Sequence, residues 1–168
     1  MASESMRYTS YTRRHMDIIQ SGVESIREFL EKESQQEKQN LVFCMDRFLD
    51  PWFGYDLPYT DQIILLLQQH LFIEESSDIQ MDILDLLCQY GQHNLDILAQ
   101  HIGKLEPDLQ AAPADPSKLE LLANALYALG LTYNRKYIPV VAAYESYDNP
   151  VIQKAAIEAL HELHQAKS

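Results

Sequence analysis

The residues best spaced to do chemistry are three aspartates, Asp78, Asp82 and Asp85, followed by Gln89. At 100° per residue they fall within about 60° of one another on a helix, while Ile79, Ile83, Leu86 and Tyr90 point more than a quarter turn away. Such a stripe could dock a basic protein, hold a hard cation, or only solvate its helix. The cation is the weakest of the three, because calcium loops place their oxygens on an irregular turn with a glycine at the sharp bend, and three acids on one rigid helix face converge poorly. No metal or other cofactor is expected. Like charges one turn apart repel by a few tenths of a kcal/mol, and no base nearby in sequence relieves them: between Arg47 and Lys104 there is no Lys or Arg, whereas residues 48–103 hold nine acids. The docking reading follows from that imbalance, and a merely solvated face stands beside it.

A second candidate is the loop Asp50 to Asp61, with Trp52, Phe53, Tyr55 and Tyr59 beside Asp50, Asp56 and Asp61. Trp and Tyr are common interface anchors, and the aspartates could meet a partner's Lys or Arg. Alternatively the loop folds its rings, Trp52 and Phe53 above all, over the ends of the first two helix pairs, leaving the two tyrosine hydroxyls at a wet rim. Tyr127, Tyr133, Tyr137, Tyr144 and Tyr147 read as the edge of the core.

Signatures of catalysis are missing, and no catalytic residue is expected. His161-Glu162-Leu163-His164 lacks the spacing of a zinc-binding HExxH helix, and no G-x-S-x-G, Walker A or GxGxxG occurs. Cys44 and Cys88 lie in apolar stretches without the electropositive setting that activates a thiol. His70, His93 and His101 read as solvated or capping residues.

The wider composition narrows the partners. Asp+Glu 25 against Lys+Arg 13 gives a net charge of -12 in 168 residues, which argues against nucleic acid or an anionic membrane, since both need a positive face. The opening MASESMRYTS has no apolar h-region and the longest apolar run, Ile63 to Leu67, is far too short to span a bilayer. A cytoplasmic protein with reduced thiols is the expectation.

The elements that must position these residues are helical nearly throughout, and one all-α domain over 1–168 is predicted. Residues 1–13 are expected to be flexible. Residues 14–49 form a first pair, with one helix from Arg14 to Glu33 lined by Ile19, Val23, Ile26 and Leu30, and a second ended by Asp50-Pro51. A second pair covers 60–91, capped by Thr60 and by Ser76 or Ser77. A third covers 94–130, and a fourth, 135–165, comprises helices from Arg135 to Tyr147 and from Asn149-Pro150 onward.

These pairs repeat. Asp115-Pro116 and Asn149-Pro150 are 34 positions apart, as are Ala125-Leu126 and Ala159-Leu160. The second helices align as Ile83-Leu87-Tyr90, Leu122-Leu126-Leu129 and Ala156-Leu160-Leu163. Tyr137-Ile138-Pro139-Val140-Val141, then Asp148-Asn149-Pro150-Val151, Ala155-Ala156 and Ala159-Leu160, resembles one HEAT repeat, with Lys154 where Arg is usual and without the Gly that commonly follows Ala-Leu. The resemblance is good over Tyr137 to Leu163, fair from Asp61 to Leu129 and poor before Asp50. It implies a short right-handed α-solenoid of about four antiparallel helix pairs, with an irregular helical bundle as the alternative. HEAT-like deoxyhypusine hydroxylases hold iron through several His-Glu dipeptides; this chain has one, His161-Glu162.

Solenoids mostly bind macromolecules. Small size, helix pairs and acidity together resemble bacterial immunity proteins, which implies inhibition of a basic toxin such as a nuclease by Asp78, Asp82, Asp85 and Gln89 with the Asp50–Asp61 loop. A HEAT-like adaptor or scaffold subunit is the alternative.

Overall fold

The computed structural model describes residues 9–108, 110 and 115–166. Among them are nine α-helices, three 3-10 turns and no strand. No described helix is long and apolar enough to cross a membrane. The described chain falls into two compact units, divided after Thr60.

The first unit holds α1 (Arg13–Gln20), α2 (Val23–Lys32), α3 (Gln35–Leu49) and a 3-10 turn, Pro51–Phe53. The single helix expected over Arg14–Glu33 is two. The Ser21 hydroxyl donates to the Asp17 carbonyl at 2.6 Å, and Gly22 follows at φ 113°. An L side chain strains at that φ, so a glycine is needed where the chain turns. The apolar phase of Ile19, Ile26 and Leu30 survives the break, and all three are fully buried with Leu41, Cys44 and Met45 of α3. His15 is buried as well. Its Nδ1 accepts from the Thr12 amide at 3.0 Å, which leaves Nε2 to donate to Glu37 at 2.8 Å and so pins α1 to α3. Just before α1, the Ser10 amide donates to Asn40 and the Tyr11 ring lies 5.9 Å from that of Phe43.

The second unit holds α4 (Thr60–Leu71), α5 (Ser77–Tyr90), α6 (Asp96–His101) continued by a 3-10 turn Ile102–Leu105, α7 (Pro116–Gly130), a 3-10 turn Arg135–Tyr137, α8 (Ile138–Ala142) and α9 (Pro150–His164). Local chemistry sets the starts. Ser76, Asp115 and Asn149 each accept a backbone N–H of their helix, and Pro occupies the first turn of α7 and α9. The helix expected over Arg135–Tyr147 is interrupted. After Ala142 the backbone bonds tighten to three-residue spacing at Tyr144, Glu145 and Tyr147, and the buried Tyr144 hydroxyl donates to Glu106 at 2.7 Å. Part of the connector expected over 106–116 lies outside the described residues.

α7 packs against both α5 and α9. The aligned repeat positions Ile83, Leu87, Leu122, Leu126, Leu129, Ala156, Leu160 and Leu163 are all buried in these three helices. Gln68 on α4 is fully buried: its amide donates to the Asn94 carbonyl at 2.9 Å and its oxygen accepts from Leu98 at 3.1 Å, fixing the entry to α6.

Candidate functional site

Within the second unit, α5 turns Asp78, Asp85 and Gln89 to solvent and holds Asp82 half-buried, while Ile79, Ile83, Leu86 and Leu87 are in the core. Tyr90, expected on that inner side, is half-exposed and lines an open cleft of about 350 Å³ with Asp61, Leu65 and His93. Asp61 therefore sits at the far end of α5, some 18 Å along the axis from Asp78 by helix rise.

Like charges crowd the middle of the stripe. Burial, then the charges of Asp85 and Asp78, push the Asp82 carboxyl up to about 6. Burial and the neighbouring Glu120 raise Asp85. Among the described residues no Lys or Arg forms an ion pair with Asp82, Asp85 or Glu120. Glu120, at the start of α7, is a member the sequence did not suggest. It reaches the stripe because α7 lies along α5, where Asn124 meets Met81 Sδ at 3.6 Å and Cys88 Sγ at 3.9 Å.

Two of the second unit's acids, Glu74 and Asp96, are engaged within the fold. Glu74 is buried and bonded to His70 at 2.7 Å, so His70, expected to be solvated or capping, is an interior residue (5 % exposed). Asp96 receives Lys136 at 2.8 Å and the Tyr137 hydroxyl at 2.7 Å, and its carboxyl is held below the usual range by both. A lysine from outside the cation-free stretch thus neutralises one end of it. Of the expected core-edge tyrosines, Tyr137 and Tyr144 are buried, Tyr127 and Tyr147 are half-exposed, and Tyr133 is exposed.

In the first unit, the Asp50 carboxylate accepts the Trp52 amide at 2.9 Å and caps the 3-10 turn. Trp52 is 88 % exposed, so its ring does not cover a helix end. Phe53 is 45 % exposed and lies 4.9 Å from the Arg47 guanidinium. Tyr55 and Tyr59 are half-exposed, and both hydroxyls are bonded within the unit. The Tyr55 ring packs tilted against Phe48, centroids 4.3 Å apart, and its hydroxyl accepts from Arg47, whereas Tyr59 donates to the Ile19 carbonyl at 2.7 Å, at the end of α1. Asp56 is exposed. Asp50, Trp52, Tyr55, Asp56 and Tyr59 thus belong to one unit, and Asp61, Asp78, Asp82, Asp85 and Gln89 to the other.

The remaining chemical groups are quiet. Burial pushes the thiols of Cys44 and Cys88 up to about 11, so neither is a ready nucleophile at neutral pH. Among the described residues no group of three or more His, Cys, Asp or Glu is arranged to hold a metal ion.

Comparison of the chain with protein-family models, with curated proteins and with solved structures gives no match.

Proposed function

We propose that this chain is a non-catalytic binding module that holds a basic protein on the α5 face, through Asp78, Asp82 and Asp85 with Glu120 beside them. The observation that carries this reading is Asp82: a half-buried carboxylate crowded by like charges keeps a repulsion that a partner's Lys or Arg would relieve. The more specific form of the proposal is an immunity protein that neutralises a basic toxin, such as a nuclease, by covering its cationic surface. The net charge of -12 supports it, because an acidic face speeds encounter with a cationic partner. The sequential contact of α5 with α7 and of α7 with α9 supports the HEAT-like architecture, in which second helices of successive pairs line one binding surface.

Affinity capture from the native host at low and high salt tests the reading. The partner is expected to be basic, to be retained at low salt, and to weaken roughly tenfold or more as salt rises. Replacing Asp78, Asp82 and Asp85 together by Lys is expected to abolish both capture and any protection from a toxin. Capture that survives the triple change rejects the assigned face. An adaptor or scaffold subunit, the alternative, would bind through apolar surfaces such as Ile157, 54 % exposed, with little dependence on salt.

A further inference from the structure

α7 and α9 cross where two small residues meet, Gly130 and Ala159. The chain then leaves α7 through Leu131 and reaches Tyr133 at φ 52°, a left-handed conformation that bulky residues seldom hold and that tends to persist at functional positions. Beside this crossing lies an open groove of about 580 Å³. Its apolar lining comes from Tyr127, Gly130, Leu131, Tyr133, Ile157 and Ala159. Tyr133 is 49 % and Ile157 54 % exposed, so the groove presents apolar surface to water.

The rim is acidic. Glu158 and Glu162 follow one another at one helical turn on α9, about 6 Å apart along the axis. Burial and the neighbouring Glu158 raise the Tyr127 phenol, and the neighbouring Glu162 raises that of Tyr133, so each carboxylate lies beside one of the two rings. The only cation that pairs with either among the described residues is the exposed Lys154, at 3.9 Å from Glu158 and so at the limit of contact.

We propose that this groove docks an amphipathic helix of a partner protein, one that places apolar side chains between Tyr127, Tyr133 and Ile157 and sets two Lys or Arg, four residues apart, against Glu158 and Glu162. The charge complementarity names the occupant. Carboxylates one turn apart match side chains at i and i+4 of a single helix, and the exposed apolar lining beside them matches the apolar face such a helix carries. This docking surface is separate from the α5 stripe and does not depend on it.

A synthetic helical peptide with Leu at i, i+3, i+4 and i+7 and Lys four residues apart on the flank of that face is the probe. It is titrated into the ¹⁵N-labelled full chain, with affinity measured by calorimetry. Shifts are expected to cluster on α7 and α9 around Tyr127, Tyr133 and Ile157. The exposed-site variant Ile157→Lys and the pair Glu158→Lys with Glu162→Lys are each expected to weaken binding tenfold or more with unchanged circular dichroism. The triple Asp78, Asp82, Asp85→Lys variant is expected to bind within twofold of the parent chain. The proposal is overturned if the peptide does not bind, if the shifts map to α5, if Ile157→Lys binds normally, or if a peptide of the same composition with scrambled Leu positions binds equally well. Failure of the acidic-stripe reading would instead show only in capture of the basic partner, so the two results are distinguishable.

Discussion

A Cβ added to Gly130 would lie 2.9 Å from the Ala159 Cα and 3.0 Å from its Cβ. The α7–α9 crossing therefore depends on the absence of one methyl group, and backbone atoms cannot yield as a flexible side chain would. Gly130→Ala is expected to destabilise the fold by about 1–3 kcal/mol through overpacking, despite the better helix propensity of alanine. Thermal melts followed by circular dichroism check this, at about 2–4 °C per kcal/mol for a chain of this size. A midpoint equal to or above that of the parent would mean that the helices part without strain.

Asp82 carries a sign that can be worked out. Its carboxyl is raised from 3.8 to about 6 in the folded state, so the native protein binds that proton more tightly than the unfolded chain does. The resulting penalty is full above about pH 6, shrinks as pH falls through 6, and is gone below the unfolded value near 4. Asp82→Asn is accordingly expected to stabilise at pH 7.5, by at most about 1 kcal/mol after solvent screening, and to change little at pH 4. Equal melting shifts at both pH values would contradict the assignment.

The His70–Glu74 bond gives a third expectation. Both side chains are buried, and Glu74 also accepts the Ser76 amide at 3.2 Å, so it joins the end of α4 to the start of α5. Glu74→Ala removes the acceptor of the buried His70 ring and is expected to cost about 1–3 kcal/mol. A double-mutant cycle with His70→Ala should be clearly non-additive in denaturant melts; additive losses would show that the two residues act separately.

Neither cysteine should react readily in the native state. With thiols pushed up to about 11, alkylation by iodoacetamide at pH 7.5 is expected to be slow for Cys44 and Cys88 and to become fast in denaturant. Rapid modification of folded protein, read by mass spectrometry, would reveal local opening of α3 or α5.

What was legible in the sequence was what local chemistry decides. Asp115-Pro116 and Asn149-Pro150 start their helices as cap and first-turn proline, and the acidic and apolar faces of α5 follow from spacing alone. The break at Gly22 was hidden because the apolar phase of Ile19 and Ile26 runs on across it. The burial of His70 and the salt bridge of Asp96 with Lys136, forty residues away, depend on which element covers which. Glu120 joined the acidic stripe for the same reason: only the packing of α7 against α5 brings it there. The tertiary bond of Tyr144 to Glu106, beside the early end of α8, is likewise contained in no window of sequence.

Trp52 is the only tryptophan of the chain and stands almost wholly in water. Its indole emission should already be red-shifted in the native protein and should barely move on unfolding. The usual optical signal of denaturation is thus nearly silent here, and a blue shift of that emission would instead report a surface closing over the Pro51–Phe53 turn.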